Sequence, residues 1–189
     1  MLTQAAVFLV STLGELFALA LLLRFLLQWL RVGARGPLAQ FLAALTDWIV
    51  RPARRIVPGW WGLDLATLLL AWLTELLQLW LVLELGGHRL DSAGAAALAA
   101  LALVQLARLA IYMAMAALVV QAVLSWINPY SPLAPLLDGV TRPLLRPFRR
   151  LIPLVANVDL SPLFALIACQ LLLMLPVAWL ELSLGRFLR

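Results

Sequence analysis

RPARRIVPGWWGLDLA, residues 51 to 66, and RPFRRLIPLVANVDLS, residues 146 to 161, are two versions of one block, and a long apolar run follows each. At a constant offset of 95 residues, Arg51, Pro52, Arg54, Arg55, Pro58, Asp64 and Leu65 fall on Arg146, Pro147, Arg149, Arg150, Pro153, Asp159 and Leu160. The same shift carries Thr46 onto Thr141. Self-similarity at a fixed period marks a repeated structural unit. The chain therefore reads as two tandem units, residues 1 to 92 and 93 to 189, each organised as helix, loop, helix.

The helices are expected to lie in a membrane. The chain is 65% hydrophobic and 12% charged, with a mean hydropathy of +1.04, which leaves a soluble domain too little polar surface to cover itself. Crossing the hydrocarbon takes about 20 apolar residues, and four stretches qualify, at roughly 5 to 30, 64 to 85, 98 to 127 and 160 to 182. The expected fold is an all-α membrane protein with four transmembrane helices. The Ala/Gly-rich stretch 93 to 102 reads either as the start of the third helix or as a loose outer segment. The opening MLTQAAVFLVSTLGELF lacks a positive n-region and a small-residue cleavage site, so it reads as a first membrane helix and not a signal peptide.

All 14 positive charges are Arg. Nine of them, Arg31, Arg35, Arg51, Arg54, Arg55, Arg142, Arg146, Arg149 and Arg150, fall in the loops within the repeats. The positive-inside rule puts those loops in the cytoplasm and both termini outside. Two spans per unit give the units one orientation, related by a pseudo-two-fold axis along the membrane normal.

Within the first loop Leu38, Phe41, Leu42, Leu45 and Ile49 recur at helical spacing, and the shift lands on Leu133, Leu136, Leu137, Val140 and Leu144. Both series predict an amphipathic helix lying in the interface. Pro37 and Pro132 suit helix starts, and Trp48 reads as an interfacial anchor. Pro52 and Pro147 are expected to break each helix and leave the Arg pairs on a short turn. There Arg51, Arg54, Arg55, Arg146, Arg149 and Arg150 would meet anionic headgroups, at about 1 kcal/mol each, or a protein partner. Asp64 and Asp159 begin the second span of each unit. Each can cap that helix or pair with the Arg residues preceding it. Ser161-Pro162 reads as a cap followed by proline.

Helix rise places Arg24 roughly 8 Å deep, able to snorkel, with Gln121 as its counterpart. Arg108, roughly 27 Å along its span, would reach the outer headgroups. Glu75 lies near the midplane, roughly 17 Å in, with Gln170 as its register partner, and Glu15 and Gln78 lie near 21 Å. Carboxyl groups at such depth should face the bundle interior. The expected arrangement is a hydrogen-bonded cluster of Glu15, Glu75, Gln78 and Gln170 joining the repeats, with at least one carboxyl neutral. It would serve as polar glue or as a proton or cation path.

A catalytic constellation is not legible. The single His88 has no second ligand nearby, and Ser11, Ser92, Ser125, Ser131 and Ser161 lack a GxSxG setting. Gly-rich phosphate loops and HExxH are absent. Cys169 lies in an apolar run and reads as a core residue. These features imply no enzyme, no cofactor and no metal site.

The paired LSWINPYSPLAPLLDGVTRPLLRPFRRLIPLVANVDLSP at 124 to 162, with its divergent first copy, resembles the YggT/YlmG family. The first copy departs from the pattern in QWLRVGARGPL, two residues longer than its counterpart, and in LDLAT. The resemblance implies an accessory protein of the bacterial inner membrane. Plastid relatives are linked to cofactor assembly in a cytochrome complex and to nucleoid or division organisation, bacterial ones to division gene clusters and osmotic tolerance. Three functions follow as expectations: a scaffold or assembly factor docking a protein partner or anionic lipid through the RPxRR segments, a small channel or osmotic-tolerance protein, and a nucleoid tether. Two membrane-hugging Arg segments make a poor duplex binder, so nucleic acid is the weakest partner. A homo-oligomer is compatible with the sequence.

Overall fold

The computed structural model describes residues 1 to 31, 36 to 57, 59, 63 to 87, 92 to 128, 131, 133 to 151 and 159 to 188. Four helical stretches are long and apolar enough to cross a membrane: Leu2–Trp29, Leu65–Leu85, Gly94–Ser125 and Ser161–Leu188. In chain order the helices are α1 (Leu2–Trp29), α2 (Pro37–Ile56), α3 (Leu65–Leu85), α4 (Ser92–Ile127), α5 (Ala134–Leu151), α6 (Ser161–Leu172) and α7 (Ala178–Gly185). A wide π turn, Leu173–Val177, joins α6 to α7 around Pro176, where the ring cannot continue an ordinary α-helical ladder. The chain is thus an all-α membrane protein. Residues 93 to 102 belong to α4, and the last span runs on to Leu188. Large apolar side chains such as Leu13, Leu77, Leu103 and Leu171 stay exposed on the spans, as a bundle surrounded by hydrocarbon requires.

Leu21, Leu22 and Phe25 of α1, Val50 of α2, Ala71 of α3 and Leu106 of α4 form the main core, which therefore spans both repeats. The indole N–H of Trp72 donates to the carbonyl of Ala99 at 3.1 Å, a second tie between α3 and α4. A smaller cluster joins Ala20 and Leu27 of α1 to Leu42 of α2, and Leu136 and Val140 of α5 pack against it. The two short helices therefore lie at one end of the bundle. In α2, Leu42, Thr46 and Val50 are buried, whereas Phe41, Leu45 and Trp48 form an exposed apolar stripe.

Two expectations about helix ends need correction. Pro52 and Pro147 do not break their helices: α2 continues to Ile56 and α5 to Leu151, so both Arg pairs occupy a last helical turn and not a loop. An interior proline costs about 3 kcal/mol. Burial of Val50, the Val57 N–H bond to the Ala53 carbonyl (2.9 Å) and the favourable placing of Arg54 and Arg55 at a negative helix end offset it. Ser161, for its part, is the first residue of α6 and not its cap, because its own N–H donates to Asp159 Oδ1 at 2.9 Å. Arg35, Pro58, His88, Arg89, Pro132 and Pro153 lie outside the described residues.

Candidate functional site: basic helix ends and a polar cavity

Each short helix is fastened at two points, and the fastenings repeat. At its basic end, Arg54 donates through Nε (3.1 Å) and Nη2 (2.5 Å) to Asp64 Oδ2. Asp64 also accepts from the Thr67 N–H at 3.3 Å and from the Thr67 hydroxyl. Capping and ion pairing, open alternatives in the sequence, are both realised by one carboxylate. Burial disfavours its ionisation, but the bonds from Arg54 and Thr67 outweigh this and hold Asp64 below the usual carboxylate range. In the second repeat Arg149 Nε donates to Asp159 Oδ2 at 3.0 Å. Burial again opposes ionisation there, and the bonds from Ser161 and Arg149 again hold the carboxyl low. The two pairs differ in exposure: the Asp64 side chain is 3% exposed and that of Asp159 34%.

The second fastening lies where α1 passes α2. Arg24 donates to Thr46 Oγ1 at 2.6 Å and to Asp47 Oδ1 at 2.7 Å, and the Thr46 hydroxyl donates to the Leu42 carbonyl at 2.6 Å. Arg24 thus docks a helix and does not snorkel. The hydrogen bond from Arg24 holds the Asp47 carboxyl low, with Arg51 at 2.6 Å assisting. In the second repeat Thr141 donates to the Gln121 side-chain oxygen and lies 2.8 Å from the Leu137 carbonyl. Thr46 and Thr141 are both fully buried. Sequence reasoning aligned the two threonines without giving them this role and passed over Asp47, although its spacing of four from Arg51 is an ion-pair signal.

Of the six arginines singled out in the blocks, Arg54 and Arg149 are therefore anchors. Arg51 is exposed and spans back to Asp47, while Arg55, Arg146 and Arg150 are exposed and form no ion pair among the described residues. Arg142 stands with them on α5.

Inside the bundle Glu75 and Gln78 are buried and line a cavity of about 240 Å³ shared with Glu15, Gln105, Arg108 and Tyr112. Among the described residues Glu75 makes no hydrogen bond, and Gln78 Oε1 is buried without one. That oxygen lies against Gly14, where a Cβ would stand only 2.2 Å away. Gln170 does not join the cluster; it is exposed. Pro162 replaces Thr67 at the register position, and Asp159 binds the N–H two residues on, where Asp64 binds the one three residues on. The buried residues are Ala66, Thr67, Ala71, Glu75 and Gln78 in the first repeat and Ser161, Ala165, Cys169 and Leu173 in the second; at the 95-residue offset they coincide at Ala66 and Ser161 and at Gln78 and Leu173 and part in between, where Gln170 faces outward. Arg108 also departs from expectation: it pairs with Glu181 at 3.1 Å across α4 and α7, a partner the sequence reading missed.

The repeated fastenings, two per repeat at corresponding positions, fall within the two segments, residues 3 to 85 and 100 to 180, that match the CCB3/YggT family model. The chain belongs to the CCB3/YggT family. Within it, an uncharacterised protein of Pseudomonas aeruginosa is 39% identical over 178 residues, 93% of this chain and 90% of its own length. An uncharacterised Vibrio alginolyticus protein is 33% identical, covering 86% and 88%. The Escherichia coli K12 protein YggT, also uncharacterised, is 30% identical, covering 82% and 80%. No solved structure matches. CCB3/YggT membership accounts for both repeats, and these relatives carry no enzymatic description.

Proposed function

We propose that this CCB3/YggT protein is a non-enzymatic scaffold or assembly factor of the bacterial inner membrane, with α2 and α5 at the cytoplasmic face and both termini outside. Its docking surface is the exposed set Arg51, Arg55, Arg146 and Arg150. The observation that carries this reading is the duplicated pair Arg54–Asp64 and Arg149–Asp159. Each pair pins a basic helix end to the start of the next span, so the neighbouring guanidinium groups are presented from a fixed backbone, ready for bidentate contacts to carboxylate or phosphate. The exposed Phe41, Leu45 and Trp48 would seat α2 in the interface. Cell-division or membrane-complex assembly is the process this reading favours.

Affinity capture from native membranes tests it, comparing wild type with Arg51→Ala/Arg55→Ala/Arg146→Ala/Arg150→Ala at equal insertion. A protein partner at least ten-fold depleted in the variant is the expected result; identical captured proteins would refute docking through these residues.

One observation favours a second reading, a proton or cation path: the buried Glu75 lines the intramembrane cavity together with Glu15 and Arg108. In liposomes loaded with a pH-sensitive dye, such a path would show flux in wild type that falls at least ten-fold in Glu75→Gln. Equal traces would leave the cavity a structural joint.

A further inference from the structure

The first repeat holds a basic cleft, and the second repeat places a carboxylate at a corresponding position. Between α1 and α2, a cleft of about 390 Å³ is bordered by Arg24, Gln28, Arg31 and Arg54, with Ala39 and Ala43 lining its α2 side. Among the described residues no carboxylate borders it. Asp47 and Asp64 engage Arg24 and Arg54 from outside the lining; Arg24 also donates to Thr46 and Arg54 to Gln28 Oε1 at 3.0 Å, and of the five N–H groups that each guanidinium carries, some remain beyond these bonds. Arg31 forms no ion pair among the described residues. Its φ of 55° is a left-handed conformation that L side chains adopt at a cost. The border therefore gathers three guanidinium groups with one charge uncompensated.

The second repeat provides an internal control. There Gln121 stands for Arg24, Ser125 for Gln28 and Asp138 for Ala43, while Arg149 stands for Arg54. Gln121 Nε2 lies 3.5 Å from Asp138 Oδ1. A carboxylate of the chain thus stands, in the second repeat, at the position that Ala43 holds beside three arginines in the first, while Ala39 keeps an alanine, Ala134, as its counterpart.

We infer that the first-repeat cleft binds the phosphate of an anionic phospholipid headgroup, which takes the place that Asp138 fills in the second repeat. Guanidinium forks match phosphate oxygens bidentately. The cleft lies at the end of a membrane span, where headgroup phosphates are the concentrated anion. Arg51, Arg55, Arg146 and Arg150 take no part, so this site and the proposed docking surface can fail independently.

Native mass spectrometry of the full-length protein tests this, after equilibration with phosphatidylglycerol or with phosphatidylcholine and with inorganic phosphate as the soluble arm. Wild type should retain one phosphatidylglycerol at least ten-fold more than phosphatidylcholine, with 10 mM inorganic phosphate failing to displace it. Ala43→Asp, which copies the second repeat, and Arg31→Gln, which breaks no ion pair among the described residues, should each lower retention at least ten-fold. Gln121→Arg/Asp138→Ala should add a second retained lipid. Retention in Arg31→Gln equal to wild type, or no preference for phosphatidylglycerol, would overturn the site. Displacement by inorganic phosphate would overturn the lipid as its occupant.

Discussion

Asp64→Ala should lower stability by about 3 kcal/mol, combining the loss of a helix cap, about 1 kcal/mol, with that of charge-assisted hydrogen bonds worth about 1.5 to 3 kcal/mol. Asp159→Ala should cost no more than about 1 kcal/mol, because its pair with Arg149 is half-exposed and screened. At about 2 to 4 °C per kcal/mol for a chain of this size, thermal unfolding in detergent should separate the variants by several degrees. Equal losses would show that burial does not set the strength of the duplicated pair. The pH dependence has a definite sign. Both carboxyls ionise below the ordinary value of 3.8 in the folded state, so their contribution is complete above that value and disappears as acid carries the pH down through the folded pKa. Wild type and Asp64→Ala should keep a constant gap from pH 7 to 5 and converge below about pH 4.

Arg24→Leu should release α2 from α1. Arg24 is largely buried and serves Thr46 and Asp47 at once; removal leaves Thr46 short of a donor and Asp47 with only the exposed Arg51. The local cost is about 2 to 3 kcal/mol. Because 1.4 kcal/mol is ten-fold in a population, trypsin should cut after Arg54 or Arg55, the bond between Arg51 and Pro52 being resistant, at least ten-fold faster if cleavage follows opening of α2. Arg24→Gln should be markedly milder, since Gln121 satisfies Thr141 in the second repeat. If Arg24→Gln is cut as fast as Arg24→Leu, the two repeats do not share this joint.

What the sequence made legible was whatever depended on repetition and hydropathy. The 95-residue shift located Asp64 and Asp159, and the apolar runs located four spans. Features set by tertiary geometry were hidden. Pro52 and Pro147 look like breaks, because nothing local shows that Val50 is buried or that Arg54 is held ten residues on. Gln170 looks equivalent to Glu75, because register counts residues and not which of them a neighbouring helix covers; the buried positions of the two spans agree at Ala66 and Ser161 and at Gln78 and Leu173 but differ between them. Glu181 could not be paired with Arg108, since the two lie 73 residues apart in a bundle whose helix facing hydropathy does not determine.

That last pairing owes its geometry to the wide turn at Leu173–Val177. Ser161, Ala165, Cys169, Leu173, Val177 and Glu181 are spaced by four, and in a regular α-helix each such step overshoots a full turn by roughly 40°, so five steps wind roughly 200° around the axis. A π turn takes up one extra residue, about 100°, and halves that drift. It behaves as a gear inserted in the last span, keeping one seam against α4 from Ser161 near one end of the bundle to Glu181 near the other. Excising a single residue from the turn would leave composition and hydropathy almost untouched, yet swing Glu181 away from Arg108 and uncouple the far end of the second repeat.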